Sequence, residues 1–331
     1  MPRRIASLDG VRALAALSVF TFHVWLYRGD ASPAGTGFWH SMAYELRLGL
    51  IVFFVLSGFL LWRDVAAMDD VRAYARRRAR RILPAYYVAM IAAWLIVEWA
   101  KHTPGARPVD GAHVCLFAVF GQNYSPATIF KLNPVTWTLC IEVAFYVLVP
   151  LLALLRRPNP VVVGIALIAV GVVWNVFAQS PVALKALPAY LPYFGIGFIA
   201  TTLPSRRWMV PAGFALIAAN AAWHASHDAP RVIEIVRDVP AGAGAALLLA
   251  GVKEARWLGA RPLAALGLVS YGFFLWQLPL ILLLKRAGAF PDAFVPAFAV
   301  AFAALLVVAG ASRRWLERPL LQRSGRATVA R

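Results

Sequence analysis

The sequence predicts an all-α, polytopic integral membrane protein with about ten transmembrane helices and both termini in the cytoplasm. Of its 331 residues, 61% are hydrophobic and only 15% are charged, and the mean hydropathy is +0.68. This composition is too apolar for one soluble globule. The apolar residues also gather into stretches of about 16 to 24 residues, most of them near the length that a bilayer core requires.

The predicted spans follow one another with short connections. In chain order they cover 9–27, 45–63, 82–100, 136–155, 161–178, 187–203, 209–225, 239–252, 263–284 and 293–312. The stretch at 239–252 is short and rich in Gly and Ala. The piece at 112–121 is too short to cross, so we expect it to lie at the surface or to re-enter.

Lys and Arg residues set the orientation, because basic connections stay in the cytoplasm. If all ten stretches cross, more than twice as many Lys and Arg fall on one side as on the other. The richer side includes both chain ends and the arginine run within 72–81. Membrane topology therefore explains the excess of 33 Lys and Arg over 15 Asp and Glu. The basic residues form short runs between apolar stretches, so we expect no nucleic-acid partner.

The first span carries two polar groups, Arg12 and His23. Eleven residues separate them, which places both on one helix face about 16 Å apart along the axis. Ionisable groups inside a membrane are costly and indicate a functional path facing the protein interior. A neutral imidazole could act as a general base toward a hydroxyl. The alternative is a structural histidine hydrogen-bonded to another helix.

The fourth span carries Glu142, roughly two turns inside its outer end and at a depth similar to that of His23. This carboxylate could stabilise the imidazolium of His23 or bind an acceptor hydroxyl. A structural pair with a histidine or an arginine explains the same position.

The arginine run includes Arg77, Arg78 and Arg81, just before an apolar helix. Guanidinium groups bind phosphates bidentately, which suits a phosphorylated ligand. A lipid-headgroup anchor or a plain topology signal is the alternative.

Two further motifs favour packing. Ser57 and Gly58 lie inside the second span, where a small pair permits close helix approach. The stretch SYGFFLWQ at 270–277 predicts an interior aromatic face with Gln277 hydrogen-bonded to another helix. The two cysteines and the histidines show no metal-ligand spacing, so we expect no metal site.

Five of these motifs, in this order, resemble the acyltransferase 3 family of bacterial membrane-bound O-acyltransferases. They are LDGVRA with the Arg-x10-His spacing of Arg12 and His23, FFVLSGFLL, RxxRILPAYY from Arg78, WTLCIEVAFY from Trp137, and SYGFFLW. The resemblance implies a ten-helix domain with cytoplasmic ends. We expect this domain over residues 1–319, a basic cytoplasmic tail over 320–331 and no fused extracellular domain.

The resemblance also implies roles for individual residues. His23 is the expected catalytic residue, with Arg12 as its motif partner and Glu142 as the family's membrane glutamate. Arg78 and Arg81, with their neighbour Arg77, fall on the arginines associated with the acyl-CoA donor. Relatives often carry a histidine where this chain has Gln277, so no titrating role is carried to that position.

The expected function is transfer of an acyl group, acetyl by resemblance, from cytoplasmic acyl-CoA to a hydroxyl of a cell-surface carbohydrate or lipid-linked sugar. Acyl-CoA, in the first place acetyl-CoA, is then a co-substrate, and no permanently bound cofactor is expected. The expected location is the bacterial cytoplasmic (inner) membrane. A proton-coupled secondary transporter of a small solute is the rival class, although such transporters often show paired halves with broken helices. A non-enzymatic sensor or scaffold is a further alternative.

Overall fold

The computed structural model describes residues 5–28, 37–155, 158–227 and 236–319, and within these ranges it contains helices and no strands. The all-α prediction is confirmed. The α-helices are α1 (Ala6–Tyr27), α2 (Phe38–Glu45), α3 (Gly49–Ala66), α4 (Val71–Trp99), α5 (Val114–Ala118), α6 (Trp137–Ala153), α7 (Pro160–Phe177), α8 (Pro181–Leu184), α9 (Leu187–Ala200), α10 (Met209–Ser226), α11 (Val239–Gly251), α12 (Arg261–Arg286) and α13 (Phe294–Ser312). A π-helical turn, Arg313–Glu317, continues α13.

Eight helical segments among the described residues are long and apolar enough to cross a membrane. The polytopic character is therefore confirmed, whereas ten spans and cytoplasmic termini stay predictions. The two spans predicted at 209–225 and 239–252 form α10 and α11, which are helices outside that group of eight; α11 has only 13 residues. The piece predicted not to cross contains only the five-residue α5, which is far shorter than a bilayer core requires.

The described residues form two compact units, each assembled from separate stretches of the chain. The first unit takes the described residues of 1–22, 32–67 and 147–268, and the second takes those of 23–31, 68–146 and 269–331. Neither unit is a continuous segment that could be cut out as a domain. The predicted basic tail at 320–331 lies outside the described residues.

In the first unit, α3 and α9 approach closely where two glycines meet. A Cβ atom on Gly58 would lie 2.3 Å from the Phe194 carbonyl oxygen, and one on Gly197 would lie 2.2 Å from the Val55 carbonyl oxygen. Either contact is far inside van der Waals distance, so only glycine allows this helix spacing. The packing interpretation of the Ser57–Gly58 pair is confirmed.

The first unit also contains a buried ion network that sequence reasoning did not identify. Arg47 donates through Nη1 to Asp238 Oδ2 at 2.7 Å and through Nη2 to Glu45 Oε2 at 3.1 Å. Arg237 donates to the other oxygen of Glu45. Glu45 is only 3% exposed. A buried charge is costly unless it is paired, and the two guanidinium groups provide that pairing. The network ties the start of α3 to the start of α11.

Two carbonyl groups of the second unit lack their helical donor because a proline follows four residues later, and side chains of that unit satisfy them. Proline has no N–H, so Pro150 in α6 and Pro279 in α12 leave the carbonyls of the residues four positions earlier, Tyr146 and Leu275, without the usual partner. The Tyr74 hydroxyl donates to the Tyr146 carbonyl at 3.3 Å, and Asn133 Nδ2 donates to the Leu275 carbonyl at 3.0 Å. The first bond joins α4 to α6, and the second joins the segment before α6 to α12.

Candidate active site

His23 lies on the last turns of α1 and forms a hydrogen bond with Gln277 of α12. The distance from His23 Nδ1 to Gln277 Oε1 is 3.0 Å, and Gln277 Nε2 donates to the Phe274 carbonyl at 2.9 Å. The bond to Phe274 orients the amide so that its oxygen faces the imidazole. An amide oxygen can only accept, so Nδ1 carries the proton and the neutral ring has its lone pair on Nε2.

The surroundings fix this pair in place. Gln277 is 1% exposed, and it lies between Leu275, whose carbonyl is held by Asn133, and Pro279. At the end of α1, Lys285 Nζ of α12 donates to the Tyr27 carbonyl at 3.0 Å. This bond anchors α1 about one turn from His23 and α12 about two turns from Gln277. The prediction that Gln277 bonds to another helix is confirmed.

Arg12 lies on the same helix as His23, three turns earlier, as the spacing predicted. It belongs to the first unit, where its Nη1 donates to Asp9 Oδ1 at 3.2 Å. Asp9 is only 4% exposed, so the pair neutralises a buried carboxylate near the start of α1. A role for Arg12 in the reaction stays a prediction.

The arginine run lies on the first turns of α4. Asp70 caps this helix by accepting from the Ala73 N–H at 3.0 Å, and this bond lowers the pKa of the Asp70 carboxyl. Arg77 and Arg81 are exposed, whereas Arg78 is half-buried. The run therefore offers both solvent-facing and sheltered guanidinium groups from one helix.

Arg78 lies between two tyrosine rings. Its guanidinium carbon is 5.4 Å from the centroid of the Tyr74 ring and 5.1 Å from that of the Tyr146 ring. Both distances are within the range of cation–π attraction. Tyr146 in turn donates its hydroxyl hydrogen bond to Glu142, one turn earlier on α6.

The structure groups Glu142 with the arginines of α4. Arg78, Arg81 and Glu142 all lie close enough to the Tyr146 phenol to interact with it electrostatically. His23 forms a hydrogen bond with Gln277, and Glu142 accepts one from Tyr146. These surroundings are those of the structural alternative, a carboxylate near arginines. The predicted roles of Glu142 toward His23 and toward an acceptor hydroxyl stay predictions.

The C-terminal part of the second unit adds groups that sequence reasoning missed. The Tyr271 hydroxyl donates to the Ile82 carbonyl of α4 at 2.9 Å, and Glu317 in the π-helical turn accepts from Ser312 at 3.3 Å. Glu317 and Arg81 both interact electrostatically with Tyr271. Among the described residues the site therefore contains a second carboxylate. No motif singled out Glu317, whereas the four-residue spacing of Tyr74 from Arg78, and of Tyr146 from Glu142, was a usable signal.

Fold and site together define a multi-pass helical membrane protein in which one unit holds a histidine bonded to a glutamine and a separate cluster of arginines and carboxylates. Comparison with known proteins gives the family. The model of the acyltransferase domain family, Acyl_transf_3, matches residues 5–313, so this chain belongs to that family. The predicted family is confirmed. No solved structure matches the chain significantly.

Three relatives illustrate the range of the family. "Acyltransferase MdmB" of Streptomyces mycarofaciens is 32% identical over 66% of this chain and 59% of the relative. "Exopolysaccharide production protein ExoZ" of Rhizobium meliloti is 30% identical over 84% of this chain and 90% of the relative. "Peptidoglycan O-acetyltransferase OatA" of Listeria monocytogenes is 24% identical over 96% of this chain but only 56% of the relative. The match therefore spans little more than half the length of MdmB and OatA.

Proposed function

We propose that this protein is a membrane-bound O-acyltransferase that moves an acyl group, in the first instance acetyl, from cytoplasmic acyl-CoA to a hydroxyl of a cell-surface carbohydrate. The observation that supports this most is the His23–Gln277 hydrogen bond, because it leaves Nε2 of a neutral imidazole as the proton acceptor. Family membership supports acyl transfer as the reaction class.

The proposed reaction exchanges a thioester for an oxygen ester. His23 Nε2 removes the proton of the acceptor hydroxyl while its oxygen attacks the thioester carbonyl carbon. The carbon–sulfur bond then breaks, the thiolate of CoA leaves, and the imidazolium returns the proton to the sulfur. The alternative route passes the acyl group through Nε2 as an acyl-imidazole before the hydroxyl attacks. Both routes use the same nitrogen and give ester and free CoA.

Gln277 keeps the imidazole in the tautomer that either route needs. Its oxygen is neutral, so it orients the ring without adding the charge that a carboxylate partner would supply. A neutral partner leaves the imidazole unprotonated over a wider range of pH than a carboxylate partner would.

Donor binding is proposed for Arg78, Arg81 and Arg77. Guanidinium groups suit the pyrophosphate and 3′-phosphate of CoA because they donate in planar pairs. The position of all three on the first turns of α4 supports this, since the topology prediction puts that end of the helix in the cytoplasm, where acyl-CoA is made. Glu142 and Arg12 are proposed as supporting residues.

A glycan acceptor is proposed from the names of the relatives. One is a peptidoglycan O-acetyltransferase and another is an exopolysaccharide production protein, and both names concern surface glycans. The proposed location is accordingly the bacterial inner membrane, where a cytoplasmic donor and an external acceptor both have access to the protein.

The test is transfer of radiolabel from acetyl-CoA into the glycan fraction of inverted membrane vesicles. Wild type, His23→Ala and the control His102→Ala are compared at equal protein levels; His102 is exposed on the connection after α4. We expect label with wild type and the control, and none with His23→Ala. Vesicles that take up a solute and leave acetyl-CoA unconsumed would favour the transporter instead.

A further inference from the structure

We infer that Tyr74 and Tyr146 form an aromatic clamp that orients the Arg78 guanidinium toward the phosphates of the donor, and that Glu142 positions this clamp. The inference rests on the proposed function for the identity of the donor. It assigns Tyr74, Tyr146 and Glu142 as positioning residues, and it gives Glu142 a role at the donor site.

The clamp is built from residues one helical turn apart. Tyr74 and Arg78 are four residues apart on α4, and Glu142 and Tyr146 are four residues apart on α6, so each pair shares one helix face. The Arg78 guanidinium lies between the two rings, 5.4 Å from the Tyr74 centroid and 5.1 Å from the Tyr146 centroid. Both tyrosines are buried, at 2% and 8% exposure.

Two hydrogen bonds hold the rings in this arrangement. The Tyr74 hydroxyl donates to the Tyr146 carbonyl, which Pro150 leaves without its helical donor. The Tyr146 hydroxyl donates to Glu142. If the rings turned away from Arg78, a buried hydroxyl or carbonyl, or the half-buried Glu142 carboxylate, would have fewer partners, which is costly. The clamp is a rigid feature of the α4–α6 contact.

The chemistry of a guanidinium explains what the clamp achieves. All its N–H donors lie in one plane, whereas cation–π attraction uses its two faces. Rings on the faces therefore fix the orientation of the donor plane and do not compete for the N–H groups. Pre-orientation reduces the side-chain entropy lost on binding a phosphate. Arg77 and Arg81 are exposed, so of the three proposed donor-binding arginines only Arg78 is sheltered in this way.

The test measures binding of CoA and of pantetheine, which lacks the phosphates, to the purified protein by isothermal titration calorimetry. The dissociation constant of pantetheine divided by that of CoA reports recognition of the phosphates and adenosine together, and it requires neither acceptor nor turnover. Adenosine titrated in parallel measures the share of the nucleoside, which the variants should leave unchanged. The variants are Arg78→Ala, Tyr146→Leu, Tyr146→Phe, Glu142→Gln and the double variant Arg78→Ala with Tyr146→Leu. Arg76→Ala is the matched control, because Arg76 is an exposed arginine of the same run.

We expect Tyr146→Leu to lower the ratio by about 3- to 30-fold, the range that one cation–π contact supplies. The double variant should lose no more than Arg78→Ala alone, since the ring acts only through the arginine. Tyr146→Phe keeps the ring, and Glu142→Gln keeps the shape of the carboxylate, so both should give smaller losses. Arg76→Ala should leave the ratio close to that of wild type.

Three results would overturn the clamp. One is an unchanged ratio in Tyr146→Leu or, where that variant does not fold, in both Tyr146→Phe and Glu142→Gln. Another is a double variant whose fold-loss in the ratio equals the product of the fold-losses of Arg78→Ala and Tyr146→Leu, since the two residues would then act independently. The third is wild-type protein that binds CoA no more tightly than pantetheine. A protein that shows the expected ratios but transfers no acetyl group would refute the proposed function and leave the clamp standing.

Discussion

Replacing Gln277 by Glu tests whether this residue sets the protonation of His23. The substitution keeps the length of the side chain and places a carboxylate oxygen where the amide oxygen now lies, 3.0 Å from His23 Nδ1. A negative charge there favours the imidazolium. The imidazole must be neutral to accept a proton. At a given low pH, a larger fraction of the Gln277→Glu enzyme than of wild type is therefore inactive. The acid limb of the pH–rate profile should therefore move to higher pH.

The size of the shift follows from the geometry. Two unit charges about 4 Å apart interact by about 4 kcal/mol at an effective dielectric constant of about 20. One pH unit corresponds to about 1.4 kcal/mol, so the upper bound is about 3 pH units. His23 is half-buried, and screening by solvent reduces the effect, so we expect about 1 to 2 pH units.

The assay is kcat/KM for transfer from acetyl-CoA between pH 5 and 9, scanned in steps of about half a unit around the neutral range of histidine. Gln277→Leu removes the acceptor without adding charge, and it should reduce kcat by about tenfold or more without the same displacement of the limb. Asn159→Asp, at the exposed N-cap of α7, is the control for an added carboxylate, because an aspartate there still accepts from the Val161 N–H. A folded Gln277→Glu enzyme whose acid limb coincides with that of wild type would refute the assignment of Nε2 as the base.

Two further predictions concern stability. Asn133→Leu leaves the Leu275 carbonyl without its donor and should reduce the free energy of unfolding by about 1 to 3 kcal/mol. Pro279→Ala restores a helical N–H for that carbonyl, so Asn133→Leu should cost less in this background, as measured by thermal unfolding. Equal losses with and without Pro279→Ala would contradict the account. Gly58→Ala should force α3 and α9 apart and cost about 1 to 3 kcal/mol in the same assay, whereas Gly310→Ala, with no atom within 4 Å of its Cβ position, should be neutral or slightly stabilising.

Features that depend on one helix could be predicted from the sequence. The spacing of Arg12 and His23 along α1 gave their shared face, because helix geometry alone determines it. The apolar stretches gave the helices, since length and hydropathy decide which segments suit a bilayer. The interior position of Gln277 also followed, because a buried amide in an apolar segment requires a partner.

Features that depend on which helices are neighbours could not be predicted. Glu142 and His23 lie at similar predicted depths, and depth alone suggested that they act together. Whether they do stays a prediction, whereas the hydrogen bond from Tyr146 to Glu142 and the packing of the Tyr146 ring on Arg78 of α4 had no signal in depth. The bond from Asn133 to Leu275 joins residues 142 positions apart, so no local pattern contains it. Helix contacts of this kind arise from packing and from carbonyls that need donors.

The most direct test of acyl transfer through His23 uses purified protein in proteoliposomes with acetyl-CoA and a glycan acceptor. Release of free CoA thiol and formation of the acetyl ester are measured together, the second by mass spectrometry of the acceptor. Wild type should give one thiol for each ester, and His23→Ala should give neither while retaining its affinity for CoA. Ester formation by His23→Ala at the wild-type rate would contradict the central claim.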